Sequence, residues 1–335
     1  VRGKEKFIAG VGAHTGLTRL LEALPGRPSL VILNYHRIGD AKETPYDSDT
    51  FSCTAAEFDW QVDSLKRRFP ILSLGRALDI IHGRAVPSQA SILVTFDDGY
   101  RDNFEQAFPV LRAHGVPATF FLSTSFVGSA ALPWWDAVAF VVKNSRMTRI
   151  ALSYPEPAQF DLTPPQRARS IVEIQQSFKS PSVTDADRFF NELEAACGVK
   201  SPAGGAQSSF MSWNEARLMR DGGMSFGSHT HTHPILSKLP YARQLEELCL
   251  SRQILEKELG GTIDTLAYPD GQPETFNDDT VAALKEARYT TAFSYYSGVN
   301  IPGKIQPYNV FRYGDDGEDR ATWRLRVALR ANAWR

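Results

Sequence analysis

The sequence predicts an α/β fold in which short buried strands alternate with amphipathic helices. Ser91–Gly99 reads SILVTFDDG, a strand-forming run that stops at two acids and a glycine. A helical pattern over 102–114 follows it, and Ala118–Leu122 (ATFFL) supplies the next strand after a short return. Strand, helix, strand is the repeat unit of a parallel sheet or barrel. Polar groups also collect where strands stop, at Asp97-Asp98 and again at Tyr35-His36-Arg37.

Ile92–Phe96 is too short for a helix, and its β-branched content favours a buried strand. Ser29–Asn34 (SLVILN) reads as another, running into a polar loop over Gly39–Asp49. Thr54-Ala-Ala-Glu57 is a capping-box pattern, with Phe58, Val62, Leu65 and Phe69 behind it at helical spacing. Pro70 stops that helix. Ile71–Leu74 is a short strand candidate and Leu74–Ile81 a further helix.

The rhythm breaks over about 128–211. An apolar stretch from Leu132 to Val142 leads into Pro155, Pro157, Pro164 and Pro165, then helical patterns near 165–178 and 184–197. This segment reads as a largely helical insertion. Its Trp134 and Trp135 suit either a ligand-stacking wall or the insertion's own core.

Ser212-Trp-Asn-Glu215 is a second capping box. Strands are expected at Met224–Gly227, Thr265–Tyr268, Tyr289–Phe293 and Asn309–Arg312, with helices at 241–259 and 278–288. Residues 1–27 suit a short amphipathic helix. A tail over about 318–335 carries Arg320, Arg324, Arg326, Arg330 and Arg335 beside Trp323, Val327 and Trp334. It reads as a helix laid against the fold, with contact to acidic lipid or glycan as the sharper alternative. Apart from the insertion and this tail, one catalytic domain is expected, its barrel core at about 28–127 and 212–312.

Composition excludes little but is informative. The 335 residues carry 37 basic and 38 acidic side chains, a net charge of −1, so nothing points to nucleic acid. Cys53, Cys197 and Cys249 are too scattered for a metal pair or a disulfide framework, and read as buried thiols. No apolar run reaches the roughly 20 residues of a membrane span. The first residues lack the apolar block of a secretory signal, although a removed one would leave no trace. A cytoplasmic location, with peripheral contact at the inner membrane face, is the expectation.

The chemistry sits at the strand tips. His229, His231 and His233 fall within five positions, between Gly227-Ser228 and Pro234. In a helix or a wide turn, His229 and His233 could reach one ion. In an extended strand all three would face one way. A carboxylate plus two imidazoles is a common divalent-metal set with positions left open. Asp98, His229 and His233 would form it. Asp97 would then be free to take a proton, and a carboxylate beside a cation stays ionised, as a base must.

Thr95-Phe-Asp-Asp-Gly99 resembles the first motif of polysaccharide deacetylases, the NodB-homology family of carbohydrate esterases. His229-Thr-His-Thr-His233-Pro234 resembles the second. The resemblance implies a distorted (β/α)7 barrel with its active face at the C-terminal rim. It implies Asp97 as general base, a divalent ion, zinc above all, on Asp98, His229 and His233, and Thr230 supporting the site. His231 falls at a variable position. The family's third motif ends in Arg-x-Pro-Tyr, whereas this chain reads Ala267-Tyr268-Pro269-Asp270-Gly271. The backbone N–H of Asp270 is then the candidate oxyanion donor, and Arg312 the candidate for the missing cation. The usual C-terminal Leu-His motif is absent, and His36 is the candidate acid. That order is similar to the permuted branch acting on biofilm poly-N-acetylglucosamine.

The implied activity is removal of acetyl groups from N-acetylhexosamine units of a polysaccharide or glycan precursor. A metal-dependent amidohydrolase on a small or cyclic amide is the rival reading, and an inactive glycan-binding relative a third.

Overall fold

A computed structural model describes residues 27–42, 44–130, 132–202, 209–314 and 319–332. The helix expected over 1–27 and the tail residues Trp334 and Arg335 lie outside the described residues. In chain order the elements are β1 (Ser29–Tyr35), β2 (Arg37–Ile38), β3 (Phe51–Cys53), α1 (Ala55–Lys66), α2 (Leu74–Ile81), β4 (Ala90–Phe96), α3 (Phe108–His114) and β5 (Thr119–Leu122). Then come α4 (Trp134–Asn144), β6 (Arg149–Leu152), β7 (Ala158–Asp161), α5 (Pro164–Lys179) and α6 (Ala186–Cys197). The chain continues with α7 (Trp213–Asp221), β8 (Ser225–Ser228), α8 (Tyr241–Leu259), β9 (Thr265–Ala267), α9 (Asp278–Glu286), β10 (Thr291–Phe293), β11 (Tyr313–Gly314) and α10 (Arg320–Ala331). Two compact units result. Among the described residues, one takes those up to Gly39 with Phe51–Ser129 and those from Phe210 on; the other takes those within Asp40–Thr50 and Ala130–Ser209.

The first unit is the distorted (β/α)7 barrel. Its sheet runs β10-β9-β8-β5-β4-β1-β11, every neighbour parallel. One segment joins the two edges. Val310 bridges to Phe293 of β10, and three residues on, as β11, the same segment pairs Tyr313 with Leu33 and Gly314 with Asn34 of β1. The strand expected at Asn309–Arg312 is therefore divided between two partners.

Side chains on β1 and β4 alternate between two environments, as strand geometry requires. Val31, Leu33 and Tyr35 join Phe58, Val62 and Leu65 of α1 in the core between sheet and helices. Leu30 and Ile32 join Leu93, Phe121, Phe293 and Val310 in the other cluster, with Ala77, Ile80 and Ile81 of α2. Continuing that second register along the strands leads to Asn34, Thr95 and Asp97. Apolar packing thus gives way to polar groups toward the strand ends.

Thr54 caps α1 by accepting from Glu57 N, but Glu57 does not return the bond; its carboxylate takes two bonds from Arg320 at 2.9 and 3.0 Å. Ser212 and Glu215 form the full reciprocal box. Helix α10 lies against the barrel, with Trp323 buried 5.5 Å from the Trp60 ring and Arg326 and Arg330 over Tyr313. The cysteines are free thiols, but only Cys197 is buried; Cys53 and Cys249 are half-buried because each sits at the margin of the packed core.

The second unit has its own core, including Val138, Val142, Ile150, Phe160, Ile174 and Phe189. Trp134 packs at 4.7 Å on Phe178, and Trp135 is buried. The unit is not helical throughout. Strands β6 and β7 form an antiparallel hairpin. Its first strand, Arg-Ile-Ala-Leu, alternates exposed and buried over four residues, too short a pattern to read beforehand. The Gly39–Asp49 loop also belongs largely here, because Asp47 N donates to Asp136 Oδ1 and Asp47 Oδ2 accepts from Gln175.

Candidate active site

Strand β4 is buried along its whole length and delivers Asp97 and Asp98 to its C-terminal end. Asp98 has φ 72° and Gly99 φ 89°, so the chain turns in the left-handed region directly after Asp97. A Cβ on Gly99 would lie 2.9 Å from Leu122 Cδ2, so the turn has no space for a side chain there.

Asp97 is locked from two sides. Arg312 Nη1 and Nη2 donate to its Oδ1 and Oδ2, both at 2.8 Å, and Asn34 Nδ2 donates to Oδ2 at 2.9 Å. Arg312 is fully enclosed: Nη1 also donates to Asn34 Oδ1 and Nε to Ser294 O, and its guanidinium lies 5.4 Å from the Phe121 ring centre. Asn34 was not singled out by sequence. Its signal was a lone amide ending an apolar strand.

The histidine segment is neither helix nor strand. Thr230 and His233 take positive φ, 67° and 60°, which folds the segment into a wide turn. Thr230 Oγ1 bonds His229 O and accepts from His233 N, tying the ends of the turn together. His229 Nδ1 lies 2.8 Å from Ala267 O. A carbonyl only accepts, so the proton sits on Nδ1 and the Nε2 lone pair faces inward. His231 points away and bonds Thr124 Oγ1 at 2.8 Å.

His229 Nε2 and His233 Nε2 each lie 3.3 Å from Asp98 Oδ1. The three donor atoms fall within 4.8 Å of one another. Asp98 Oδ1 is buried and makes no hydrogen bond. A buried carboxylate oxygen left this way between two imidazoles is an arrangement that a cation satisfies.

Burial alone would raise both carboxyls. For Asp97 the Arg312 charge and then His229 outweigh it, leaving the group lowered. For Asp98, the imidazoles of His229 and His233 facing it outweigh it further, and the group sits well below the carboxylate range. The two imidazoles diverge although both face Asp98. Burial lowers each, but His229 also feels Asp97 and ends raised, while His233, opposed by His229, ends lowered.

His36 follows β1, its N–H donating to Ser52 Oγ and its ring edge-on to Tyr295 at 5.5 Å. It is a charge neighbour of both Asp97 and Asp98. Asp270 follows β9 with φ 61° and is a charge neighbour of His233. Tyr295, also unread in the sequence, lies beside both His36 and Arg312. Its only sequence signal was proximity to a strand end.

The sequence profile of the polysaccharide deacetylases matches residues 84–292, more than half of the chain and both motif segments. The chain belongs to the polysaccharide deacetylase family. It is 31% identical over 113 residues to the poly-beta-1,6-N-acetyl-D-glucosamine N-deacetylase of Staphylococcus epidermidis, covering 30% of this chain and 38% of that one. The matched stretches span only about a third of the curated relatives' lengths, 33% and 38%. In structure it is similar to IcaB from Ammonifex degensii, with TM-score 0.58 and 21% identity, covering 92% of this chain and 99% of that one. It is also similar to the Streptococcus pyogenes deacetylase PplD in complex with acetate, with TM-score 0.55 and 17% identity, covering 86% and 92%. At these identities the likeness carries the fold.

In this member of the family, the third-motif segment keeps its turn but not its arginine. Gly271 holds φ 66°, and a Cβ there would meet Tyr295 N at 2.6 Å. The guanidinium against Asp97 comes instead from Arg312, just before β11.

Proposed function

We propose that this chain is a metal-dependent N-deacetylase acting on N-acetylhexosamine units of a polysaccharide or glycan precursor. The observation that carries the reading is the Arg312–Asp97 pair beside the Asp98, His229 and His233 cluster. One carboxylate is held ionised and oriented while the other faces two imidazole lone pairs. Asp98 Oδ1 and the two Nε2 atoms would hold a divalent ion, and their one-oxygen, two-nitrogen set suits zinc. Such an ion, when bound, polarises a carbonyl oxygen and makes water more acidic.

Asp97 serves as the general base. It takes a proton from the water whose oxygen attacks the acetyl carbon. Arg312 and Asn34 fix the direction of its carboxylate. The Asp270 N–H, in the turn after β9, is the proposed donor to the tetrahedral oxyanion. The C–N bond then breaks, and His36 gives its proton to the departing amine. Acetate and a free amino sugar are the products. The similarity to a poly-beta-1,6-N-acetyl-D-glucosamine N-deacetylase supports this substrate class.

An altered third motif would also suit an amidohydrolase on a small or cyclic amide; with Arg312 supplying the guanidinium against Asp97, the deacetylase reading needs no arginine from that motif. The test is acetate release from N-acetylglucosamine oligomers with and without chelator, for wild type and Asp97→Asn. Chelator-sensitive release, nearly abolished by Asp97→Asn with metal still bound, is the expected result. Full activity in that variant would remove Asp97 as the base.

A further inference from the structure

Glu247 is a buried carboxylate that the proposed mechanism does not use. It lies on α8, on the face that also buries Gln244, Leu248 and Ser251. Its Oε2 accepts from two consecutive backbone amides, His231 N at 2.9 Å and Thr232 N at 2.8 Å, and its Oε1 accepts from Thr232 Oγ1 at 2.7 Å. All three bonds go to the middle of the turn that separates His229 from His233.

That turn needs outside support. Thr230 is β-branched yet has φ 67°, and His233 has φ 60°. Such backbone persists only where its surroundings over-determine it. The carbonyl side of the turn is held by the segment after β5: Thr124 N donates to Thr230 O and Ser125 N to His231 O. The two central amides, of His231 and Thr232, end on Glu247. Without that carboxylate, two consecutive part-buried amides and a hydroxyl lose their acceptor, and the shape of the turn is left to the bonds of Thr230, the His229 ring and the segment after β5.

We propose that Glu247 is the positioning residue of the metal centre, holding the His229–His233 turn in its ligand-presenting shape without touching the ion or the substrate. The inference rests on the metal-site reading above. Partners of this kind, acting through the ligands, typically change metal affinity by about 10–100-fold.

The test is zinc affinity by competition with a chromophoric chelator, read alongside the melting temperature of the metal-free protein. Glu247→Ala is expected to bind zinc at least about tenfold more weakly. Glu247→Gln keeps an amide-accepting oxygen and is expected to recover most of that loss. Thr232→Val removes one bond of the three and gives a smaller loss, which keeps the idea testable should Glu247→Ala fail to fold. Gln244→Ala, on the same buried face but bonded to Leu239 O, is expected to bind zinc as wild type does. Wild-type zinc affinity in Glu247→Ala would overturn the proposal. So would equal weakening in Gln244→Ala, or a zinc loss that merely follows a collapse in melting temperature. If wild type and Asp98→Asn bound zinc equally, the metal-site reading itself would fall and take this proposal with it.

Discussion

Arg312 and Asp97, 215 positions apart in the chain, meet as a two-pronged ion pair with both N–O distances at 2.8 Å, and neither side chain is more than 3% exposed. The pair combines two requirements that conflict in a buried base. The carboxylate must be ionised, yet burial opposes ionisation. The guanidinium resolves this by charge and fixes direction by its fork.

Replacing Arg312 by Leu should therefore raise the Asp97 carboxyl, because burial is then opposed only by the lesser influence of His229 and His36. The acid limb of the pH–rate profile should move to higher pH, and kcat/KM at neutral pH should fall at least about 100-fold, in the range of a lost general base. Arg312→Lys keeps the charge but not the paired donors, and should restore the limb better than the rate. An unmoved acid limb in Arg312→Leu would separate Asp97 from the pH dependence.

The same pair sets a stability window. The folded-state value of Asp97 is depressed, so its contribution is complete above the unfolded value near 3.9 and fades as pH falls through the lower folded value. The stability difference between wild type and an Asp97→Asn, Arg312→Gln double variant, from urea unfolding, should be level from about pH 5 to 8 and shrink toward pH 3. A difference constant down to pH 3 would contradict the depressed value.

Asp98→Asn removes the one anionic donor of the cluster while preserving volume. Zinc retained after dialysis should drop to background. The metal-free protein should melt within a few degrees of wild type, since Asp98 Oδ1 makes no hydrogen bond to lose. Stoichiometric zinc in this variant would count against the cluster as the binding site.

Gly314 lies where β11 meets β1, and a Cβ there would fall 1.9 Å from Tyr295 Oη and 2.8 Å from its Cζ. Gly314→Ala should destabilise by about 1–3 kcal/mol through overpacking. It should also lower activity, because Tyr295 is pushed against His36 and Arg312. Adding Tyr295→Phe should recover part of the stability, measured by urea unfolding. No recovery would place the strain elsewhere.

Much of the fold was open to reading because its signals are local. Helix α8 was legible over its full length from apolar spacing, and α2 likewise. Strands β1 and β4 were legible because a buried parallel strand must be apolar on both faces. The hairpin β6–β7 was hidden by strands of four residues. The Asp40–Thr50 segment was hidden because its partners, Asp136 and Gln175, are 89 and 128 positions further along the chain.

The sequence by itself determined which side chains reach strand tips, since strand ends follow from where apolar runs stop, and it paired the acids with the histidines by residue type. Only the tertiary structure decided that His229 and His233 converge from a left-handed turn, that Asn34 and Arg312 clasp Asp97, and that Glu247 grips the turn from a helix behind it. The physical reason is that backbone sign and long-range hydrogen bonds depend on groups brought together by barrel closure. No local pattern of residues records such a meeting.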